Sequence, residues 1–317
     1  MIISASRRTD IPAFFGEWFM RRVEAGFFVT ANPFNPAQIR AYSLHPDDVD
    51  AIAFWTKNPA PFSRHLDAID RRGYRYYFGV TLNDYPAIIE PGVPPLAERI
   101  EAFRRLSDRI GPERVMWRYD PVIISSATPA EYHLERLDRL AAALAGHTWR
   151  MIISFLDFYR KVKPRLDKLG ASEGITFTDI AAPEHRDQLL ALAAGISGIA
   201  AAAGISVQTC SEAVDLESVG IRHGTCIDAD YIETVLGAPG PLRRDANQRT
   251  ECLCAHSADM GAYNTCLFQC AYCYADFGAA SVRANQGKHF VDSPMLIGRP
   301  TAIPAIAKVH DYQTPRR

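Results

Sequence analysis

The sequence predicts an α/β protein: a (β/α) barrel, complete or partial, with a cysteine-rich C-terminal extension. Three observations carry this. Seven short runs rich in apolar, β-branched or aromatic residues alternate with longer helical patterns, which calls for parallel β/α units. The runs are nearly continuous in apolar residues, as strands covered on both sheet faces are. All seven cysteines fall within 64 consecutive positions, from Cys210 to Cys273. The predicted division is a barrel over residues 1–227 and an extension over 228–317, with the cysteine loop at 251–276, packed as one unit.

The strand runs lie at 1–5, 27–30, 51–55, 76–81, 115–119, 151–155 and 205–209. Helices are punctuated between them. One opens at Pro12 and closes at Gly26, and another runs from Pro59 to Gly73. Thr128-Pro129-Ala130-Glu131 reads as a capping box opening a helix that ends at Gly146. Residues 189–207 carry no charge, yet Gly195, Gly198 and Gly204 interrupt them. A buried helix followed by a strand fits this run better than a membrane span. Beyond Cys210 the alternation fades, leaving a short helix at 229–236; the end, 310–317, reads as a loose tail.

With 48% apolar and 22% charged residues in 317, the chain has material for a large core, which excludes disorder and a disulfide-stapled miniprotein. Thirty-five basic against 36 acidic residues disfavour a nucleic-acid partner. The N-terminus has no secretory pattern, since its apolar start is short and Arg7 and Arg8 follow it. A cytoplasmic protein with no membrane partner is expected. There is no Gly-rich phosphate loop and no serine-hydrolase elbow.

In a β/α protein, function gathers just after the strands. Those positions hold Ser6 to Asp10, Ala31 to Asn35, Thr56 to Pro59, Leu82 to Asp84, Asp120-Pro121, Asp157 and Cys210-Ser211-Glu212. Asp120 and Asp157 are candidate acid–base groups or ribose partners. Asp245-Ala246-Asn247-Gln248-Arg249 is dense in hydrogen-bonding groups that suit either a ligand or a tie between loop and barrel. Among nine histidines only His256, two residues after Cys254, is a candidate ligand.

Cys266, Cys270 and Cys273 have the spacing CxxxCxxC, which lets three soft thiolates face one compact metal centre, zinc or iron–sulfur. Cys210, Cys226, Cys252 and Cys254 complete a set for a second [4Fe–4S] cluster or a zinc ion. Cys210 and Cys226 read equally as ordinary buried thiols.

Cys266-Leu267-Phe268-Gln269-Cys270-Ala271-Tyr272-Cys273-Tyr274 resembles the cluster loop of radical S-adenosylmethionine enzymes. Three further stretches are similar, in order, to their spore photoproduct lyase-like branch: Asn32-Pro33-Phe34-Asn35-Pro36, Trp55-Thr56-Lys57-Asn58-Pro59, and Glu90-Pro91-Gly92-Val93-Pro94 with Arg99, Glu101 and Arg104. In those enzymes the cluster loop follows the first strand, whereas here Ser6 to Asp10 occupies that place without a cysteine. The whole chain resembles an uncharacterised bacterial family with such a cluster at its C-terminal end, through 6–12, 55–59, 117–121, 247–254 and 265–275.

The resemblance implies that the late loop folds back over the catalytic rim. It implies a [4Fe–4S] cluster on Cys266, Cys270 and Cys273, and S-adenosylmethionine contacts from Lys57, Thr81 and Tyr272. The implied reaction is reductive cleavage of S-adenosylmethionine to a 5′-deoxyadenosyl radical acting on a small molecule or other unknown substrate, with a flavodoxin or ferredoxin as electron donor. It assigns no catalytic residue. The alternatives are an electron-transfer iron–sulfur protein and a protein with a structural zinc, neither of which cleaves S-adenosylmethionine.

Overall fold

In a computed structural model, residues 1–246 and 248–307 are described. Asn247 and the expected loose tail at 310–317 lie outside them. Eight parallel strands form one sheet, in the spatial order Arg222–Gly224, Ser206–Cys210, Arg150–Phe155, Val115–Val122, Tyr76–Thr81, Ala51–Thr56, Ile2–Ala5 and Ser257–Asp259. Six of the seven expected strand runs lie in it.

The two strands at its edges have three residues each, too short to show an alternating pattern. Among the described residues no ladder joins these edges, so the α/β sheet is observed without barrel closure. A backbone bond crosses the seam, from the Ala255 N–H to the Ile227 carbonyl at 2.8 Å. The C-terminal part of the chain therefore supplies a strand of the main sheet, beside the first strand of the chain.

Alternate residues along each strand face opposite sides. Ile3, Phe54, Phe78, Trp117 and Ile153 pack with the helices. Ile2, Ala53, Trp55, Tyr77, Met116 and Ile152 pack with Cys226, Ile227, Tyr231, Cys252, Cys254 and Ala255. Both faces are thus dry, which is why the strands read as continuous apolar runs. Gly79 serves this second face: a β-carbon there would lie 2.5 Å from the Trp55 ring.

The run at 27–30 is a correction. Phe27–Asn32 pairs antiparallel with Asn35–Ser43, outside the main sheet. Only Pro33 and Phe34 separate the two strands, a connection that permits a hairpin but no parallel crossover. Three helix readings are also revised. The expected helix from Pro59 to Gly73 is a 3₁₀ stretch, Ala60–His65, followed by the short α-helix Leu66–Arg71. The segment opening at Pro12 is broken at Phe15 into Ile11–Phe14 and Gly16–Ala25, and the latter ends at Gly26 with φ +74°. Thr128 does not cap Ala130–Leu144. Its hydroxyl donates to the Ile123 carbonyl at 2.7 Å and bonds Ser125 Oγ, closing the preceding turn instead. The uncharged run becomes the helix Arg186–Ala202, a left-handed Gly204 and a strand; no described helix is long and apolar enough to cross a membrane.

Candidate metal centre

A cavity of about 410 Å³ opens at the C-terminal ends of the parallel strands. Its floor is made by residues in the C-terminal parts of seven of them or just after: Ser6 to Asp10, Trp55 to Lys57, Thr81, Arg118 with Asp120, Ser154 to Asp157, Cys210 to Glu212, and Cys226. Its roof is Gln248, Arg249, Cys252, Cys254 and residues of 266–275. All seven cysteines line this space.

The loop carrying Cys266, Cys270 and Cys273 is irregular, and its bonds fix it from outside. At its base the Asn264 N–H donates to the Ala275 carbonyl at 2.8 Å. Along it, the Ala271 N–H donates to Ile89 O at 2.9 Å and the Gly92 N–H to Phe268 O at 3.1 Å. A β-carbon on Gly92 would lie 2.8 Å from that same Phe268 oxygen, a backbone atom that cannot swing aside. Arg165 donates to the Cys273 carbonyl and pairs with Asp276. Burial pushes the Cys270 and Cys273 thiols up to about 12, and Cys266 well above its ordinary value. Burial thus favours the neutral thiols, and as thiolates in so dry a place the three would call for a cation. Gly92→Ala is expected to displace the loop, lowering metal loading at least severalfold while the far-ultraviolet circular dichroism stays that of the native protein.

Lys57 reaches this loop from the end of Ala51–Thr56. Its Nζ donates to Glu90 Oε1 at 2.8 Å and stands 5.7 Å from the centroid of the Tyr272 ring. The Tyr272 hydroxyl donates to the same Glu90 oxygen. The Glu90 side chain is only 1% exposed, so it holds both groups from behind. Asp10 accepts from the Lys57 and Ala13 N–H groups and is pushed up to about 7 by burial, which these bonds oppose.

Three further acidic residues line the cavity, two of them paired with arginines. Asp120 pairs with Arg118 and accepts from Ser154; Asp157 pairs with Arg249 at 2.9 Å. Glu212 accepts the Phe155 N–H at 2.8 Å, and burial, aided by Asp157 and Asp120, raises it to about 8. Burial thus favours the protonated form of Glu212. The hydroxyls of Thr9 and Ser211, both on the cavity wall, are buried without a hydrogen-bond partner among the described residues. Ser211 also has φ +60°. Unpaired polar atoms and a strained serine on a cavity wall suit a polar ligand.

Cys210, Cys226 and Cys254 form the group of three potential ligands whose sulfurs all lie within 4.8 Å of one another among the described residues. The Cys226 and Cys254 sulfurs are 3.5 Å apart, and Cys252 contacts Cys254. Hydrogen bonds from Cys210 and Cys254, and the charges of Arg118 and Arg7, hold the Cys226 thiol well below its ordinary value.

Of the residues singled out in the sequence, Lys57, Thr81, Tyr272, Asp120, Asp157, Gln248, Arg249 and all seven cysteines share the cavity. Asn32 and Pro33 line a different cavity, beside the hairpin, together with His256, which is not placed with the thiols. Asn83 braces the Asp120 backbone, and Asp84 pairs with Arg136. The parts played by Glu90, Glu212 and Asp259 escape a sequence reading. Glu90 lies in a stretch singled out above, but its partners are 33 and 182 positions away.

A protein-family model described as "Domain of unknown function (DUF1848)" matches residues 2–275, a span that includes every strand of the main sheet and every cysteine. No curated protein matches the chain.

Proposed function

From the premise that the chain belongs to the DUF1848 family, which its own residues must interpret, we propose a radical S-adenosylmethionine-type enzyme of unknown substrate. The observation that carries this reading is the convergence of a CxxxCxxC loop and a half-buried lysine on one cavity at the C-terminal ends of parallel strands. When bound, a [4Fe–4S] cluster with S-adenosylmethionine supplies one-electron reductive cleavage of the sulfonium and hydrogen-atom abstraction from a substrate.

The chain's residues fit that pair by donor chemistry. Cys266, Cys270 and Cys273 offer three soft thiolates, and their sulfurs are spaced more widely than the group of three that suits one ion. A three-cysteine cluster leaves one iron for a small ligand. Lys57 offers a fixed positive charge to a carboxylate near that position, and Glu90 fixes its direction. Tyr272 closes the lysine from one side and limits water. Glu212, with Asp120 and Asp157 braced by arginines, lines the remaining space, where these groups can orient a substrate's polar groups.

The experiment is product chromatography after anaerobic reconstitution, dithionite reduction and addition of S-adenosylmethionine. 5′-Deoxyadenosine and methionine are expected in equal amounts. A fully loaded cluster that yields neither refutes the reading and leaves an electron-transfer centre. Lys57→Met is expected to raise the KM for S-adenosylmethionine about 10- to 100-fold, the loss of one charge-assisted hydrogen bond, with iron content unchanged. Glu90→Gln frees the lysine without removing it, so a smaller rise in KM is expected.

A further inference from the structure

The second cysteine set lies where the sheet fails to close. Cys226 follows the edge strand Arg222–Gly224, and Cys254 precedes the opposite edge strand Ser257–Asp259, yet their sulfurs are 3.5 Å apart. Cys210 ends the neighbouring strand and joins them within 4.8 Å. Cys252, two positions before Cys254, supplies a fourth thiol in contact with it.

Spacing separates two kinds of centre. Tetrahedral ligands about 2.3 Å from one ion stand about 3.8 Å from each other. In a cubane each thiolate binds its own iron, so the sulfurs stand farther apart. Cys210, Cys226 and Cys254 have the spacing of the single ion, and Cys252, which lies outside that group of three, meets it through Cys254.

The thiols are also held in place before any metal arrives. The Tyr77 hydroxyl donates to the Cys226 carbonyl at 2.7 Å. Arg150 and Gln208 both donate to the Thr225 carbonyl, at 2.7 and 2.8 Å, and Arg150 pairs with Asp228. The Ile227 N–H lies 3.5 Å from the Cys254 sulfur, the outer bond that stabilises a thiolate ligand. Cys226, Cys252 and Cys254 are buried and Cys210 is partly so; as ligands the four cross-link the two edges.

We propose that Cys210, Cys226, Cys252 and Cys254 bind one thiophilic metal ion, zinc or iron, which clasps the two edge strands of the sheet. The clasp stands apart from S-adenosylmethionine cleavage and holds even if that reading fails.

The test uses the full chain with Cys266, Cys270 and Cys273 all changed to serine, which isolates the second set. Elemental and sulfide analysis is expected to give one zinc or iron per chain and no acid-labile sulfide. Four irons with matching sulfide would make it a cubane and overturn the proposal, as would the absence of a stoichiometric metal. Chelation followed by added Co²⁺ is expected to give the intense visible bands of a tetrahedral thiolate site. Amide exchange then tests the clasp on the same protein: Zn²⁺ re-addition is expected to slow exchange at 222–228 and 252–259 by about tenfold or more. Unchanged exchange there overturns the clasp, and it needs no variant of the clasp cysteines.

Discussion

Changing Cys266, Cys270 and Cys273 together to serine is expected to remove about four irons per chain and to bring 5′-deoxyadenosine formation down to background. Serine nearly matches cysteine in size, but its hydroxyl stays protonated near neutral pH and is a hard ligand where soft thiolate is required. Fold loss is not expected to explain the result. The loop is held by backbone bonds to Ile89 and from Gly92, and its base by Asn264 and Ala275, none of which involves a thiol. Circular dichroism and melting temperature should therefore stay close to those of the wild-type apoprotein. A triple variant that keeps its iron–sulfur absorption would place the cluster elsewhere.

Asp259→Ala is expected to destabilise the folded protein by about 3–5 kcal/mol, a fall in melting temperature on the order of 5–10 °C. Asp259 ties the C-terminal edge strand to the first strand of the chain. Its carboxylate accepts from Ser4 Oγ, Ser6 Oγ and the Arg7 N–H at 3.0, 2.6 and 2.9 Å, and from Arg8 Nε and the Gly261 N–H at 3.1 and 3.0 Å. Truncation leaves two arginines without their anion and five donors without an acceptor. Burial alone would raise this carboxyl, but Arg8, Arg7 and these hydrogen bonds hold it below the ordinary aspartate value. The sign of the pH dependence follows. The folded state favours the ionised form, so this stability is present above the unfolded value of about 3.9 and is lost as pH falls through the lower folded value. Denaturant melts of wild type and Asp259→Asn should differ by a constant amount from pH 8 to about pH 5 and converge in stronger acid. A difference that grows on acidification would contradict this assignment.

The parts of the fold that could be read from sequence are those with long periodic signals. Six strands of the main sheet and the punctuation at Gly26, Gly73 and Gly204 follow from apolar runs and left-handed glycines. The hairpin at 27–43 was misplaced because its first strand has the same apolar composition as a sheet strand; only the two-residue connection distinguishes it. Arg222–Gly224 and Ser257–Asp259 carry too few residues for any period, so the edges of the sheet were illegible. The thiols could be found by clustering, but not their division in space. Cys254 and Cys266 are only twelve positions apart, yet one packs at the seam and the other beside Asp10. Glu90 and Asp259 look like ordinary acidic residues until the fold brings their partners from the other end of the chain.

The most direct measurement is a crystal of the anaerobically prepared protein, with anomalous diffraction collected on both sides of the iron and zinc edges. A multi-iron density bounded by Cys266, Cys270 and Cys273, with its uncoordinated iron turned toward Lys57, is the expected result, beside a single metal peak among Cys210, Cys226, Cys252 and Cys254. One mononuclear ion on Cys266, Cys270 and Cys273, or no metal there at all, would contradict a cluster at that loop and with it the radical chemistry.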